Sequence, residues 1–181
     1  AYRMRREELE TLVRAALEEA ANRGVDQAEV AASCDTGLAA TARLGDVENL
    51  EYTNDRGVWV TVYKDFRKGS ASTSDTRPES IREAVAKACT FADCTAQDQF
   101  AGLADADLMC TDIRDLDLDH PWTIEAADAI DMAIACEAAG LAVDDRINNS
   151  EGATVSTNRG VRAYGNSHGF SGGYPTTRHS L

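Results

Sequence analysis

The spacing of the apolar residues changes once near the start of the chain, and that change dictates the kind of fold. Leu9, Leu12, Val13, Ala16, Leu17 and Ala20 recur at steps of three and four, which puts them on one stripe of a helix spanning about residues 7–23. Gly24 follows, a residue suited to the left-handed conformation that ends helices. Beyond it the step is two. Ala28, Val30, Ala32 and Cys34 line one face of a strand, and Leu38, Ala40 and Ala42 line one face of the next, with Gly37 read as the turn between them. An apolar helical stripe and apolar strand faces bury each other, so the expectation is an α+β fold with helices packed on the sheet.

The same reading extends along the chain. Leu44-Gly45-Asp46 turns into a third strand at 47–53, and Asn54-Asp55-Arg56-Gly57 turns into a fourth at 58–63. Lys64-Asp65-Phe66 makes a further turn into 67–73, whose small Gly, Ser, Ala and Thr residues predict an edge strand with backbone open to pairing. Pro78 suits the first turn of a second helix, and Ile81, Ala84, Val85, Ala88, Cys89 and Ala92 carry its stripe to about residue 93.

Residues 96–121 break the periodicity. Asp98, Asp105, Asp107, Asp112, Asp115, Asp117 and Asp119 are interleaved there with small and apolar residues, which reads as an interdomain linker. A third helix is expected from an N-cap at Thr123 to Leu141. A hairpin follows, 146–157 and 161–166 about a turn at Asn158-Arg159-Gly160, and then an extended segment at 170–181. The expected organisation is an amino-terminal α+β domain at 1–95, the linker, and the start of a second α+β domain at 122–181. Each unit is a helix followed by an antiparallel β-meander. No residues match between the units, and the abrupt end of the chain suggests a fragment.

Composition narrows the function classes. A formal charge of −13 repels nucleic-acid backbones, and the basic clusters Arg3/Arg5/Arg6 and Arg67/Lys68 are too small to reverse it. No apolar run is long enough to span a membrane, and the first residues lead into charge rather than a signal core. Cys34, Cys89, Cys94, Cys110 and Cys136 are odd in number and without a C-x-x-C pair, so free thiols in a reducing cytoplasm are expected.

Catalytic zinc needs clustered neutral imidazoles and a carboxylate, typically two histidines at helical spacing. His120, His168 and His179 are the only histidines, and none has a second within two helical turns. No catalytic or metal-binding residue is assigned. Gly165-Asn166-Ser167-His168-Gly169 reads as a hairpin turn whose short polar side chains can also meet a ligand. Ser167 and His168, as neighbours on an extended chain, face apart and make no nucleophile pair. Arg178 can clamp a peptide carboxylate or pair with one of the chain's many acids. Lys68, Gly69 and Ser70 begin a stretch small enough for strand addition by a peptide or partner, or simply a solvated edge.

Several blocks in order resemble the PmbA/TldE family: Gly45-Asp46-Val47-Glu48-Asn49 with Glu51, Lys68-Gly69-Ser70-Ala71-Ser72-Thr73, Asn149-Ser150-Glu151-Gly152, Gly165-Asn166-Ser167-His168-Gly169, and Thr177-Arg178-His179-Ser180. The resemblance implies a cytoplasmic bacterial protein, also labelled a modulator of DNA gyrase, that works in a dimeric or heteromeric metalloprotease with a TldD-like subunit. Such assemblies process unfolded or small peptides, including peptide-antibiotic precursors. It further implies that zinc belongs to the TldD-type partner's His-Glu-x-x-x-His motif, that this chain holds no cofactor, and that it contributes assembly and peptide access. The contact candidates are then Lys68, Gly69, Ser70, Asn166, Ser167, His168, Gly169 and Arg178. The rival expectation is a non-proteolytic module that binds a peptide or protein.

Overall fold

The computed structural model describes residues 5–181, so Ala1–Met4, with the Arg3 of the first basic cluster, lie outside the described residues. The elements are α1 (Arg6–Asn22), β1 (Gln27–Arg43), β2 (Asp46–Lys64), β3 (Arg67–Thr73), α2 (Pro78–Cys94), a single 3-10 turn (Ala106–Leu108), α3 (Ala126–Leu141), β4 (Ala153–Asn166) and β5 (Ser171–Ser180). The strands form one antiparallel sheet in the order β3-β2-β1-β4-β5. The fold is α+β, as the change of period predicts.

Both ends of α1 follow from its sequence. Glu8 reaches back to the Arg5 amide at 2.8 Å, satisfying a donor that the first helical turn leaves open. At the other end Gly24 takes φ +71°, its amide bonds the Ala21 carbonyl at 3.0 Å, and the Val25 amide reaches the Ala20 carbonyl at 3.5 Å. This is a Schellman closure. Helix α2 starts on Pro78, and the Asp75 carboxylate fixes its entry by accepting from the Arg77 amide, the Arg77 guanidinium and the Ser80 hydroxyl. Arg77 holds that carboxyl well below the usual carboxylate range.

Three expected turns are continuous strand instead. β1 runs straight through Gly37, β2 through Asn54–Gly57, and β4 through Asn158–Gly160. None of these residues has a positive φ, so the glycines do not serve turn geometry. A Cβ on Gly37 would collide with the Asn158 side chain, and one on Gly160 with the Asp35 carboxylate. The glycines let a polar side chain of the adjacent strand lie across them, a role of glycine within strands that has the same composition as a turn. The turns that join β1 to β2 and β2 to β3 are at Leu44-Gly45 and Asp65-Phe66, where turns are expected. All four of these residues have positive φ. Asp65 and Phe66 are held there by Asp26, which accepts the Asp65 amide at 2.7 Å, and by the Asp98 amide on the Phe66 carbonyl at 2.8 Å.

Two other boundaries move. α3 is capped at Glu125, whose carbonyl accepts the Ala129 amide at 3.0 Å, rather than at Thr123. Residues 146–152 are not strand, because Ser150 and the positive-φ Gly152 shape the approach to β4.

The chain divides into two compact units. Unit 1 takes the chain to Cys34, Asp55–Leu116 and Val161–Pro175, and unit 2 takes Asp35–Asn54, Asp117–Gly160 and Thr176–Leu181. β1, β2, β4 and β5 each contribute residues to both. The core of unit 1 gathers Leu9, Val13 and Ala16 from α1, Ile81, Val85 and Ala88 from α2, and the inward residues of β1, β2 and β4. That of unit 2 consists of Leu38, Ala40, Ala42, Ala129, Ala133 and Val155.

Candidate functional site

In unit 1 the helices cover one face of the sheet, so alternate residues of each strand point to the other face. There β1 presents Glu29, Ala31 and Ser33, β2 presents Trp59 and Tyr63, and β4 presents Arg162 and Tyr164. Residues 100–116 and 170–174 complete a cleft of ≈ 690 Å³ whose apolar character comes from Trp59, Ile113, Leu116, Tyr164, Phe170 and Tyr174. Arg114 and Asp112, 3.7 Å apart, supply charge at its lining. An adjoining cavity of ≈ 390 Å³ shares Cys110, Tyr164 and Phe170 with it.

A carboxylate organises the inner end. Glu29 Oε1 accepts the Tyr63 hydroxyl at 2.9 Å, and Oε2 accepts the Tyr164 hydroxyl at 2.8 Å. The Asn166 amide donates to the Tyr164 oxygen at 3.3 Å and to Met109 Sδ at 3.2 Å. Burial, followed by the Glu29 carboxylate, pushes the Tyr63 phenol up to about 12. Burial also raises Tyr164, with Glu29 adding to the shift and the Asn166 amide opposing it. Both phenols therefore stay protonated donors at neutral pH, and the two rings are held at fixed angles.

The turn at 166–169 builds the wall of this cleft. Asn166 is 5% exposed, and its Oδ1 accepts the amides of His168 at 3.1 Å and Phe170 at 3.3 Å. Ser167 exchanges two bonds with Ala28, amide to carbonyl and amide to hydroxyl, each 2.9 Å. His168 Nδ1 lies 2.9 Å from the Ala104 carbonyl and must donate to it, which leaves Nε2 to accept the Gln27 amide at 3.3 Å. The Gln27 carbonyl oxygen in turn accepts the Leu103 amide at 2.7 Å. His168 thus ties residues 103–104 to the start of β1. Ser167 Oγ and the imidazole have separate partners, so no nucleophile and base are paired here.

Lys68, Gly69 and Ser70 lie on β3, an outermost strand of the sheet, with Lys68 and Ser70 exposed and Gly69 buried. The backbone that comes close to Gly69 belongs to α2: a Cβ there would strike the Ala88 carbonyl oxygen and the Ala92 amide. Gly169 turns with φ +89°. Arg178 is exposed on β5 in unit 2 and makes no ion pair among the described residues, so of its two readings the pairing with an acid is not formed among them. The structure brings Asn166, Ser167, His168 and Gly169 into one turn, while Lys68, Gly69 and Ser70 lie on β3 and Arg178 belongs to unit 2.

Sequence reasoning missed Glu29, Tyr63 and Tyr164 at the site, and Glu137 elsewhere. Glu29 occupies the polar position of a regular alternation and gives no signal in β1, whereas an acid within the alanine-rich run of α3 was an available signal for Glu137. Glu137 is 5% exposed and accepts the amides of Leu44 at 2.8 Å and Gly45 at 3.0 Å, with the Ser150 hydroxyl at 2.6 Å. Those donors, Ser150 first, lower its pKa.

No group of three or more His, Cys, Asp and Glu among the described residues is arranged to hold a metal ion. The imidazoles are otherwise engaged. His179 donates Nε2 to the His120 carbonyl at 2.8 Å and accepts the Thr157 hydroxyl at Nδ1. His120 donates Nε2 to the Asp117 carbonyl at 2.7 Å. The described residues therefore do not fit zinc, and the cleft is suited to holding a ligand by shape and apolar contact.

Comparison with known proteins accounts for most of the chain. Residues 28–92 match PmbA/TldA metallopeptidase domain 1, and residues 119–181 match the PmbA/TldA metallopeptidase central domain. The metalloprotease PmbA of Escherichia coli O157:H7 is 44% identical over 173 residues, covering 96% of this chain and 38% of that protein. A PmbA homolog of Haemophilus influenzae is 43% identical over 175 residues, covering 97% and 39%. The chain thus spans about two-fifths of the length of these relatives. Among solved structures, a modulator of DNA gyrase from Bacteroides thetaiotaomicron superimposes with a TM-score of 0.83 at 23% identity, covering 93% of this chain and 39% of that one. TldE from Thermococcus kodakarensis superimposes at 0.65 and 18% identity, covering 94% and 37%. These structures share the fold, and the family matches at 28–92 and 119–181 show that the chain belongs to the PmbA/TldD metallopeptidase family.

Proposed function

We propose that this chain is the amino-terminal region of a PmbA/TldE-type subunit that works with a TldD-like subunit in a cytoplasmic, peptide-processing metalloprotease. It contributes assembly and peptide access, and the partner contributes zinc. The observation that carries this reading is the aromatic cleft of unit 1. Its ≈ 690 Å³ is roomy enough for peptide side chains, and rigid rings around an apolar hollow are what ligand sites commonly present. Histidines already committed to backbone carbonyls support placing the metal chemistry elsewhere. Lys68 and Ser70 on the outer strand, and Arg178, are proposed contact positions. The 166–169 turn acts on a peptide through the cleft wall that it holds in place.

The test uses the full-length chain and the TldD-like protein of the same organism, purified separately and together. Peptide cleavage is expected only from the mixture, and it should fall when Trp59→Ala or Phe170→Ala removes a ring from the cleft. Cleavage by this chain alone, abolished by His168→Ala, would overturn the proposal. If peptide binds to this chain but no TldD-like protein accompanies it, a non-proteolytic binding module is the better description.

A further inference from the structure

The first nine residues of β2, 46–54, are organised as a strand yet are barely covered. Residues 46–52 are all exposed, so both faces of this stretch meet solvent, and Val47, Leu50 and Tyr52 are 47%, 41% and 69% exposed. One of its edges is also open. β3 pairs with β2 only from Val58 to Lys64, and no other strand lies on that side among the described residues. An open edge with apolar side chains is a liability that proteins usually blunt with lysine, proline or a bulge. Residues 46–54 contain neither lysine nor proline, and their charges are the three acids Asp46, Glu48 and Glu51, which guard the edge against like-charged strands only.

The strand is nevertheless fixed in place. The buried Glu137 carboxylate holds the two amides of the Leu44-Gly45 turn and is itself held by Ser150, while Arg43 reaches Glu48 at 3.5 Å. A segment rigid at its turn but uncovered on its faces is preordered for a partner, because little ordering entropy remains to be lost on binding. Its charge says which partner. Asp46, Glu48 and Glu51 lie within the segment with no cation, so a second copy pairing here would bring six carboxylates together, three from each copy. From this geometry and charge we infer that residues 46–54 are an interaction edge that accepts an extended strand of a different protein chain, one carrying Lys or Arg beside its apolar residues. Main-chain pairing provides the attachment, Leu50 and Tyr52 the apolar contact, and the three acids the selectivity.

The inference does not require the partner to be a protease subunit. A photo-crosslinking residue at Leu50 in the full-length protein, expressed in its own organism, tests it when the crosslinked peptides are identified by mass spectrometry. The expected product joins residue 50 to a basic, extended segment of another protein. Its yield should fall roughly tenfold in Asp46→Lys/Glu51→Lys, whose thermal unfolding should match the parent because both side chains are exposed and neither is in the Arg43–Glu48 contact. Crosslinks to a second copy, to a distant part of the same chain, or to nothing would each overturn the inference. So would a heterologous crosslink that charge reversal leaves unchanged. The identity of the crosslinked protein tests the other reading separately: a charge-sensitive partner unrelated to TldD would sustain this edge and remove the support for a protease subunit.

Discussion

Unit 1 packs Leu9, Val13, Val30, Val58, Val60, Val62 and Val85 between two helices and the sheet, whereas unit 2 closes over Leu38, Val155 and four alanines beneath a single helix, with Ile124, Ile130 and Ile134 half-buried against them. Apolar area scales with side-chain size, so unit 1 draws far more stabilisation from burial. Unit 2 is supplemented by polar joints. Glu137 clamps the first hairpin turn, and Arg159 grips Asp119 through two nitrogens, one at 2.8 Å. His179 and Thr177 fasten residues 118–120 to β5, with Trp122 edge-on to the His179 ring at 5.7 Å. The contrast is between a larger core of branched side chains and a smaller, alanine-rich core whose first hairpin turn leans on a buried carboxylate. The first should respond to cavities, the second to crowding and to pH.

The sharpest way to break that contrast is Leu9→Ala. Leu9 is fully buried in unit 1, and removing its side chain leaves a cavity worth about 2–5 kcal/mol of stability. Urea unfolding should show this loss, and hydrogen exchange should show the largest rise in α1 and α2. Equal loss of protection at α3 would mean that the two cores are not separate cooperative units.

In unit 2 the informative change runs the other way. Ala133 is fully buried in the cluster with Leu38, Ala40, Ala42, Ala129 and Val155, so Ala133→Leu overfills the space between α3 and the strands and should cost about 1–3 kcal/mol. A neutral or stabilising result, read by thermal unfolding, would show that the small core has slack and that its alanines are not there to allow close packing.

The two cores also differ in how readable they are from sequence. The stripe of α1, its closure at Gly24 and the stripe of α2 are local signals, and all three appear in the structure nearly where they are expected. Strand continuity was not legible at Gly37, the segment 54–57 or Gly160, because Asn, Asp and Gly suit both a turn and a strand whose glycine is covered by a side chain, Asn158 over Gly37, Trp59 over Gly57 and Asp35 over Gly160. At Gly37 and Gly160 only the partner strand decides between them. The site was legible in part for the same reason. Asn166 to Gly169 announce a turn, but its task of holding residues 103–104 depends on Gln27, which lies more than a hundred residues away in sequence. The Glu29, Tyr63 and Tyr164 cluster likewise joins three strands, and no spacing within any one of them reveals it.

The smallest effect concerns the joint at Glu137 and is visible only against pH. Its pKa in the folded protein is lowered from the ordinary 4.5 by the Ser150 hydroxyl and then by the Gly45 and Leu44 amides. A carboxyl with a depressed folded-state value contributes stability that is fully present above its unfolded value and is lost as pH falls through the folded one. The contribution should therefore be constant near neutrality and decline below about 4.5. Glu137→Gln keeps the shape and one acceptor oxygen but has no charge to lose. At pH 7 it should be somewhat less stable than the parent, and its stability should fall less steeply in acid, so the two unfolding midpoints converge as pH drops. Amide exchange at Leu44 and Gly45 reports the same joint directly and should quicken in the variant at neutral pH. Parallel acid profiles for the two proteins would show that the turn is held by its backbone alone, and would remove the main polar element from the contrast between the units.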